Sequence, residues 1–382
     1  MKITLERTPE QVELVKAMAS KNRGVSYEAQ TALAEFIGPV LAEVVNAAPT
    51  VSNMFSSLQF NADDNPSIPL DLYHDITDED YIQVWSQSVP GGLPSNQVAP
   101  SQSELKFTTY TLDSALSFDK RYASRSRLDV VSKTFTRMAQ EILLKQEKTS
   151  AVMIMTALHN AETKGTKHVI RSAQANRFLL SDLNKLMTRA KRINTAWTGG
   201  TPADRRGRGI TDLLVSPEII EEIRGLAYNP VNTVHTDGTA PDAQSAPISA
   251  TDDVRNQVFN SAGMPEFYGV TLQEYNEMGV GKKWNTTFGA GGSVSFDDHY
   301  SVAASATTFV PGSEEILVGI DMSRESLIRA VATDSESGDE FTLVADDQFV
   351  TRQSKIGYYG SLEEGRMVID NRVLLGTAIT TA

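Results

Sequence analysis

The sequence predicts an α+β protein, and three observations predict it. From about Arg127 to Ala161 an apolar stripe at helical spacing runs without a single glycine or proline. Between about residues 60 and 122, two runs alternate as strands on either side of a turn-rich tip. After Ile316, further strand-like runs follow, far in sequence from the long helix. Helices and strands are thus segregated along the chain rather than strictly alternating, which is the α+β pattern.

Taken in order, "TPEQ" starts a helix: Thr8 caps, Pro9 suits the first helical position and Gln11 completes a capping box. Leu33, Phe36, Ile37, Val40, Leu41, Val44 and Val45 make the apolar stripe of a second helix, which Pro39 is expected to kink or split. So short a segment offers that stripe little to pack on, so an arm lying on a neighbouring subunit is expected. "DYIQVWSQSV" and "ELKFTTYTLDSALSFDKRY" then read as the two strands of a long hairpin, with tip "PGGLPSNQVAP". Parity slips between Phe107 and Tyr110, as at a bulge. The helix from Arg127 to Ala161 would be roughly 50 Å long at the usual rise per residue, and needs an extended surface to lie on. A helix in "SDLNKLMTRAKRIN" and a strand, serine cap and helix in "LLVSPEIIEEIRGLA" follow; Tyr228 to Asp252 is a long loop; a strand passes through Val270 and Leu272. The C-terminal runs are "EILVGID", "EFTLVADDQFV", "KIGYYGSL" and "GRMVIDNRVLLGTAI".

Composition bounds the function. The chain has 382 residues, 40% hydrophobic and 22% charged, enough for two or three packed regions of an ordinary globular kind. No apolar run approaches the roughly 20 residues that span a bilayer, and "MKITLERTPEQ" lacks the apolar centre of a signal peptide, so synthesis in a cytoplasm and no membrane partner are expected. Without cysteine there is no disulfide, thiolate nucleophile or cysteine-based zinc site. A net charge of -13 argues against a dedicated nucleic-acid binder.

Chemical motifs fail on inspection. The turn at Ser216 has no glycine to admit a phosphate, and Glu218, Glu221 and Glu222 would repel one. "NEMGVGKK" has Asn276 where a P-loop needs its first glycine and Lys283 where it needs Ser or Thr. His74, His159, His168, His235 and His299 show no ligand spacing. "DITDEDYI" lacks the spaced ligands of a calcium loop, and Arg205, Arg206 and Arg208 read as a solvated loop. No catalytic residue, metal site or cofactor is expected.

The stretch "GITDLLVSPEIIEEIRGLA", the helix "SDLNKLMTRAKRIN" before it, the ending "LIRAVATDSESGDEFTLVADDQFVTRQSKIGYYGSLEEGRMVIDNRVLLGTAI" and the order of elements together resemble the major capsid proteins of tailed double-stranded-DNA bacteriophages, the Hong Kong 97 fold. That resemblance implies an N-terminal arm (residues 1–59), an extended loop (60–122), a peripheral domain with a spine helix (123–173), an α/β axial domain (174–330), and C-terminal strands (331–382) returning to the peripheral and axial domains. It implies a structural protein of the virion, not an enzyme, assembling in the host cytoplasm as hexamers and pentamers into an icosahedral head around DNA bound without sequence specificity. A separate scaffolding protein, a portal and decoration proteins would be its partners. Leu33, Phe36, Ile37, Val40, Leu41, Trp85, Leu93 and Val98 are the expected inter-subunit contacts. Two alternatives stand beside it: a cellular nanocompartment shell of the same fold, and a cytoplasmic α+β enzyme with residues 228–252 as a lid.

Overall fold

The computed structural model describes residues 8–46, 51–61, 66–69, 104–163, 168–172, 178–193, 209–225, 266–267, 269–289, 295–296, 300–301, 309–333, 340–346 and 354–380. The chain divides into two compact units, one formed by residues 1–67, 106–151 and 327–367, the other by residues 68–105, 152–326 and 368–382.

The first unit is built on a five-stranded sheet. Its centre is β14 (Lys355–Val368), which joins "KIGYYGSL" and the start of the following run into one strand. On one side β14 pairs antiparallel with β4 (Thr109–Asp119), from Lys355 opposite Asp119 to Gly365 opposite Thr109. β14 also pairs antiparallel with β13 (Thr342–Asp346), and it pairs with β12 (Leu327–Thr333), which in turn carries the parallel edge strand β1 (Ser56–Asn61). The strands alternate in burial. Tyr110, Leu112, Phe118, Ile356, Tyr358 and Leu362 are buried, while Thr111, Asp113, Ala115, Ser117 and Tyr359 are exposed. Gly365 is required where it stands, because a Cβ there would lie 2.7 Å from the carbonyl oxygen of Thr108.

Helices cover the buried face. Thr8 caps α1 (Pro9–Met18) by accepting from the Gln11 amide at 3.3 Å, though Gln11 Oε1 finds no partner among the described residues, so the capping box is half made. The second helix, α2 (Arg23–Asn46), runs unbroken through Pro39. Pro39 is on the solvent side, where water can serve the carbonyl left without a donor. Gly38 brings α2 against Leu343 of β13. After the short α3 (Lys120–Ser124), α4 (Leu128–Thr163) is one helix of 36 residues, about 54 Å long. Its Phe135 ring meets Tyr358 edge-on with centroids 5.2 Å apart, and Met138 packs over Gly360. Residues to Ala151 of α4 belong to this unit and the remainder to the other.

Two expectations change. The stripe on α2 was expected to lack a partner, yet Leu33, Ile37 and Leu41 are buried in the subunit's own core, and only Phe36 and Val40 face solvent. α2 packs on α1, its neighbour in sequence, and on β13, some 300 residues later, a partner that no local pattern reveals. The second hairpin run also divides. β3 (Glu104–Lys106) pairs with β2 (Ser67–Pro69), whereas β4, beyond the parity slip at Phe107 and Thr108, lies in the central sheet because Tyr110, Leu112 and Phe118 fill its core face. Residues 70–103, with Trp85, Leu93 and Val98, lie outside the described residues.

The second unit has a six-stranded mixed sheet in the order β5 (Val169–Arg171), β15 (Leu374–Thr380), β11 (Glu314–Ile320), β6 (Asp212–Val215), β8 (Val270–Glu274), β7 (Glu266–Phe267). β11 and β15 are buried along nearly their whole length, hence their continuous rather than alternating apolar character. α5 (Leu180–Ile193) and α6 (Pro217–Gly225) close one core through Leu183, Leu186, Ile219, Ile220 and Ile223. The last described helix is the short α7 (Lys283–Gly289).

The division of the α2 stripe yields a direct check. Leu41→Ala should cost the isolated subunit about 2–5 kcal/mol in urea unfolding, as for other large-to-small core changes. Phe36→Ala should move it by no more than about 0.5 kcal/mol. Equal effects would place the whole stripe back on one environment.

Candidate functional site

At the heart of the first unit lies a charge cluster that no sequence pattern announces. Glu364 is fully buried on β14; Arg366 on the same strand and Arg329 on β12 are buried with it. Arg329 Nε donates to Glu364 Oε2 at 2.8 Å, and Arg366 Nη2 donates to Oε1 at 3.1 Å. The Tyr110 hydroxyl donates to Oε1 at 2.9 Å and Gln146 Nε2 to Oε2 at 3.1 Å, so β4 and α4 are tied to the same carboxylate. Arg366 also donates to Ser52 Oγ at 2.8 Å and to Ser150 Oγ, and its guanidinium carbon lies 5.4 Å from the centre of the Phe55 ring. Burial pushes the Glu364 carboxyl up, but Arg366 and Arg329 outweigh it and hold it below the ordinary carboxylate range. β14, β12, β4, α4 and the turn before β1 thus meet at one ionised group.

The solvent side of the helical layer is different. On α2, Phe36 is 58% exposed and Val40 and Val25 are also open, interleaved with exposed Glu28, Glu35 and Glu43. From Lys120 to Arg137, along α3 and the start of α4, there are six basic residues and one acid, with Tyr122 exposed among them. Leu144, 66% exposed, stands farther along α4. Of the expected contact residues, then, the structure offers Phe36 and Val40 to a partner and withdraws Leu33, Ile37 and Leu41.

On the opposite face of the sheet, Ala115, Tyr359 and Val344 stand side by side in register, and a groove of about 490 Å³, lined also by Ser117 and Gly357, lies beside them. The Tyr359 hydroxyl bonds Asp113 at its edge.

In the second unit, Ser216 caps α6 by accepting from the Ile219 amide at 3.2 Å, as its position before Pro217 requires. Beside it on β11, Glu315 is buried, with Oε1 lacking a partner among the described residues. Burial pushes its carboxyl up to about 7; the Ser216 hydroxyl bond opposes this, and the charges of Glu218 and Glu222 add to it. The neighbouring Glu314 pairs with Arg171.

The described residues among those singled out for chemistry are held in structural bonds. His159 Nδ1 is 2.9 Å from the Phe288 carbonyl and His168 Nδ1 2.8 Å from that of Leu374, both as buried structural bonds. The P-loop-like turn is held internally, with Glu277 accepting from Trp284 Nε1 at 3.0 Å, and Gly279 and Gly281 supply left-handed backbone (φ 126° and 69°). Among the described residues no group of three or more His, Asp or Glu is placed to hold a metal ion, and no helix is long and apolar enough to cross a membrane. His74, His235, His299, "DITDEDYI", Arg205, Arg206, Arg208 and the loop at residues 228–252 lie outside the described residues.

No protein-family model and no curated protein matches the sequence. Among solved structures the chain is similar to chains from a phage, a phage capsid and an encapsulin complex. The phage protein of Microbacterium phage Oxtober96 shares 11% identity over 88% of this chain and 92% of that one, with a TM-score of 0.47. The mature capsid of bacteriophage PhiM1 shares 13% over 88% and 87%, TM-score 0.45. The holo-SrpI encapsulin complex of Synechococcus elongatus shares 10% over 90% and 95%, TM-score 0.43. Similarity this distant leaves the α+β assignment resting on the strand order and register described above.

Two substitutions probe the buried carboxyls. Glu364→Gln leaves two buried guanidinium groups without their counter-charge, and should lower stability by about 3–5 kcal/mol at neutral pH in denaturant unfolding; a loss under about 1 kcal/mol would show the cluster to be dispensable. Glu315 works the other way. Its folded value is raised, so its contribution is fully present below the ordinary 4.5 and lost as pH rises through about 7. Between pH 5 and pH 8 the wild type should lose up to about 3 kcal/mol that Glu315→Gln does not lose. Parallel pH profiles of the two proteins would refute the assignment.

Proposed function

We propose that the chain is the structural subunit of an icosahedral shell, a major capsid protein whose copies assemble as hexamers and pentamers around packaged double-stranded DNA. The carrying observation is the order of elements in this chain. N-terminal helices lead to the base of a hairpin at β2 and β3, then to an uninterrupted helix of 36 residues, then to an α+β unit, with C-terminal strands completing both units. That is the order implied by the resemblance of the sequence to Hong Kong 97-like capsid proteins. In this reading the first unit is the peripheral domain with α4 as its spine, and the second unit is the axial domain.

Its exposed surface fits the role. Phe36, Leu144, Tyr122 and Val40 are large apolar side chains left open on a helical layer, and such anchors are what an interface buries. The net charge of -13 suits a wall that must not adhere to the genome it encloses. A separate scaffolding protein and a portal would complete assembly, and the product would reside in the virion. Nothing in this role calls for catalysis.

Purified protein, alone and with a candidate scaffold, should form closed particles of uniform diameter by negative-stain microscopy and light scattering. Particles recovered from their natural source should contain double-stranded DNA. A protein cargo would instead make the shell a nanocompartment, and a chain that remains monomeric under every condition would overturn the shell reading.

A further inference from the structure

The solvent side of the first unit's helical layer carries two surfaces of opposite charge. From Gly24 to Asn46, α2 has three glutamates, Glu28, Glu35 and Glu43, and no basic residue. All three are exposed, and none pairs with a charged group among the described residues. On α3 and the start of α4 the sign reverses. Arg121, Arg127 and Arg137 are neutralised by Asp119, Asp129 and Glu141, but Arg125 and Lys133 are exposed and make no ion pair with any described residue. Each surface also bears apolar anchors, Val25, Phe36 and Val40 on the acidic one, Tyr122 and Leu144 on or beside the basic one.

Both helices pack their other sides on the same face of the sheet: Gly38 of α2 against Leu343, and Phe135 and Met138 of α4 against Tyr358 and Gly360. Their exposed sides therefore look out from one layer. We propose that the acidic, apolar face of α2 in one copy docks on the basic α3–α4 surface of a second copy of this chain, Phe36 and Val40 supplying the buried anchors and the charges setting partner and register. This rests on the shell reading and names a contact within it. A second copy is favoured because the two surfaces complement each other in charge and both belong to this chain. Because both lie on one layer, a two-fold arrangement could form the contact twice, reciprocally. Individual exposed ion pairs contribute little, so burial of the anchors holds the contact while charge selects it. Repetition through a closed shell then multiplies a weak contact.

Charge reversal in separate copies gives the test. One variant carries Glu35→Lys and Glu43→Lys; the other carries Arg125→Glu and Lys133→Glu. All four positions are exposed, so thermal unfolding should stay close to wild type in both. Each variant alone presents like charges on both surfaces and should associate at least tenfold more weakly than wild type by sedimentation velocity at low salt. Their equimolar mixture presents opposite charges at every mixed contact. It should recover association to within about threefold of wild type, and the recovery should fade as salt rises. A mixture no better than its components overturns the proposal. So does weakened association in neither variant, or a result in which the basic reversal abolishes binding of a short DNA duplex while leaving self-association intact. A wild-type chain that never associates overturns the shell reading itself, and this contact with it; a wild-type chain that assembles while the mixture does not recover overturns the contact alone.

Discussion

The first unit depends on one carboxylate. Glu364 is surrounded by Arg329, Arg366, Tyr110 and Gln146, and through Arg366 by Ser52 and Ser150. These residues come from β14, β12, β4, α4 and the turn before β1, segments that have no neighbour relation in sequence. Hydrophobic contact alone would let those segments slide. A buried ionised group tolerates little displacement, since each donor lost leaves charge in a medium that solvates it poorly. The register of β4 on β14, and with it the alternation that sends Tyr358 inward and Tyr359 outward, is fixed on either side of this point.

How far the sequence foretold this depends on the distance over which each signal acts. The long helix was legible because its pattern is local and no breaker interrupts it, and the structure extends it only to Leu128–Thr163. The cap at Thr8, the strand–serine–helix at Asp212 to Gly225 and the parity slip at Phe107 were legible for the same reason. The fate of the α2 stripe was not. Leu33, Ile37 and Leu41 look unpartnered until α1 and β13 are known to pack on their helix, and helical spacing says nothing about which side of a stripe a distant sheet will take. Glu364 was illegible too, because it falls between the runs "KIGYYGSL" and "GRMVIDNRVLLGTAI", and only the pairing with β4 turns one of the two adjacent glutamates inward. Glu315 carried a faint signal, an acid inside the apolar run "EILVGI", which could have been queried as a buried group.

The surface follows a different logic from the core. A subunit that must join many copies of itself without precipitating cannot use one large apolar patch. Here the open apolar side chains are few: Phe36 and Val40 lie among exposed glutamates of α2, while Tyr122 and Leu144 lie on stretches of α3 and α4 where basic and acidic residues mix. The chain's acidic balance then leaves the basic stretch of α3 and α4 as a local exception rather than a general affinity for anions.

The interleaving of the two units along the chain also governs the order in which the protein can be made. The first unit needs residues 1–67, 106–151 and 327–367, so its sheet lacks its central strand until nearly the whole chain has left the ribosome. Until then α2 has no β13 to lie on, and Tyr110 and Gln146 have no carboxylate to bind. Neither unit can therefore ripen early while the other is still being translated, and strand pairing across such separations is slow. Under the shell reading proposed above, a nascent chain is thus barred from presenting a finished docking layer to its neighbours on a crowded polysome, and synthesis of the C-terminal strands becomes the event that makes a subunit eligible to join.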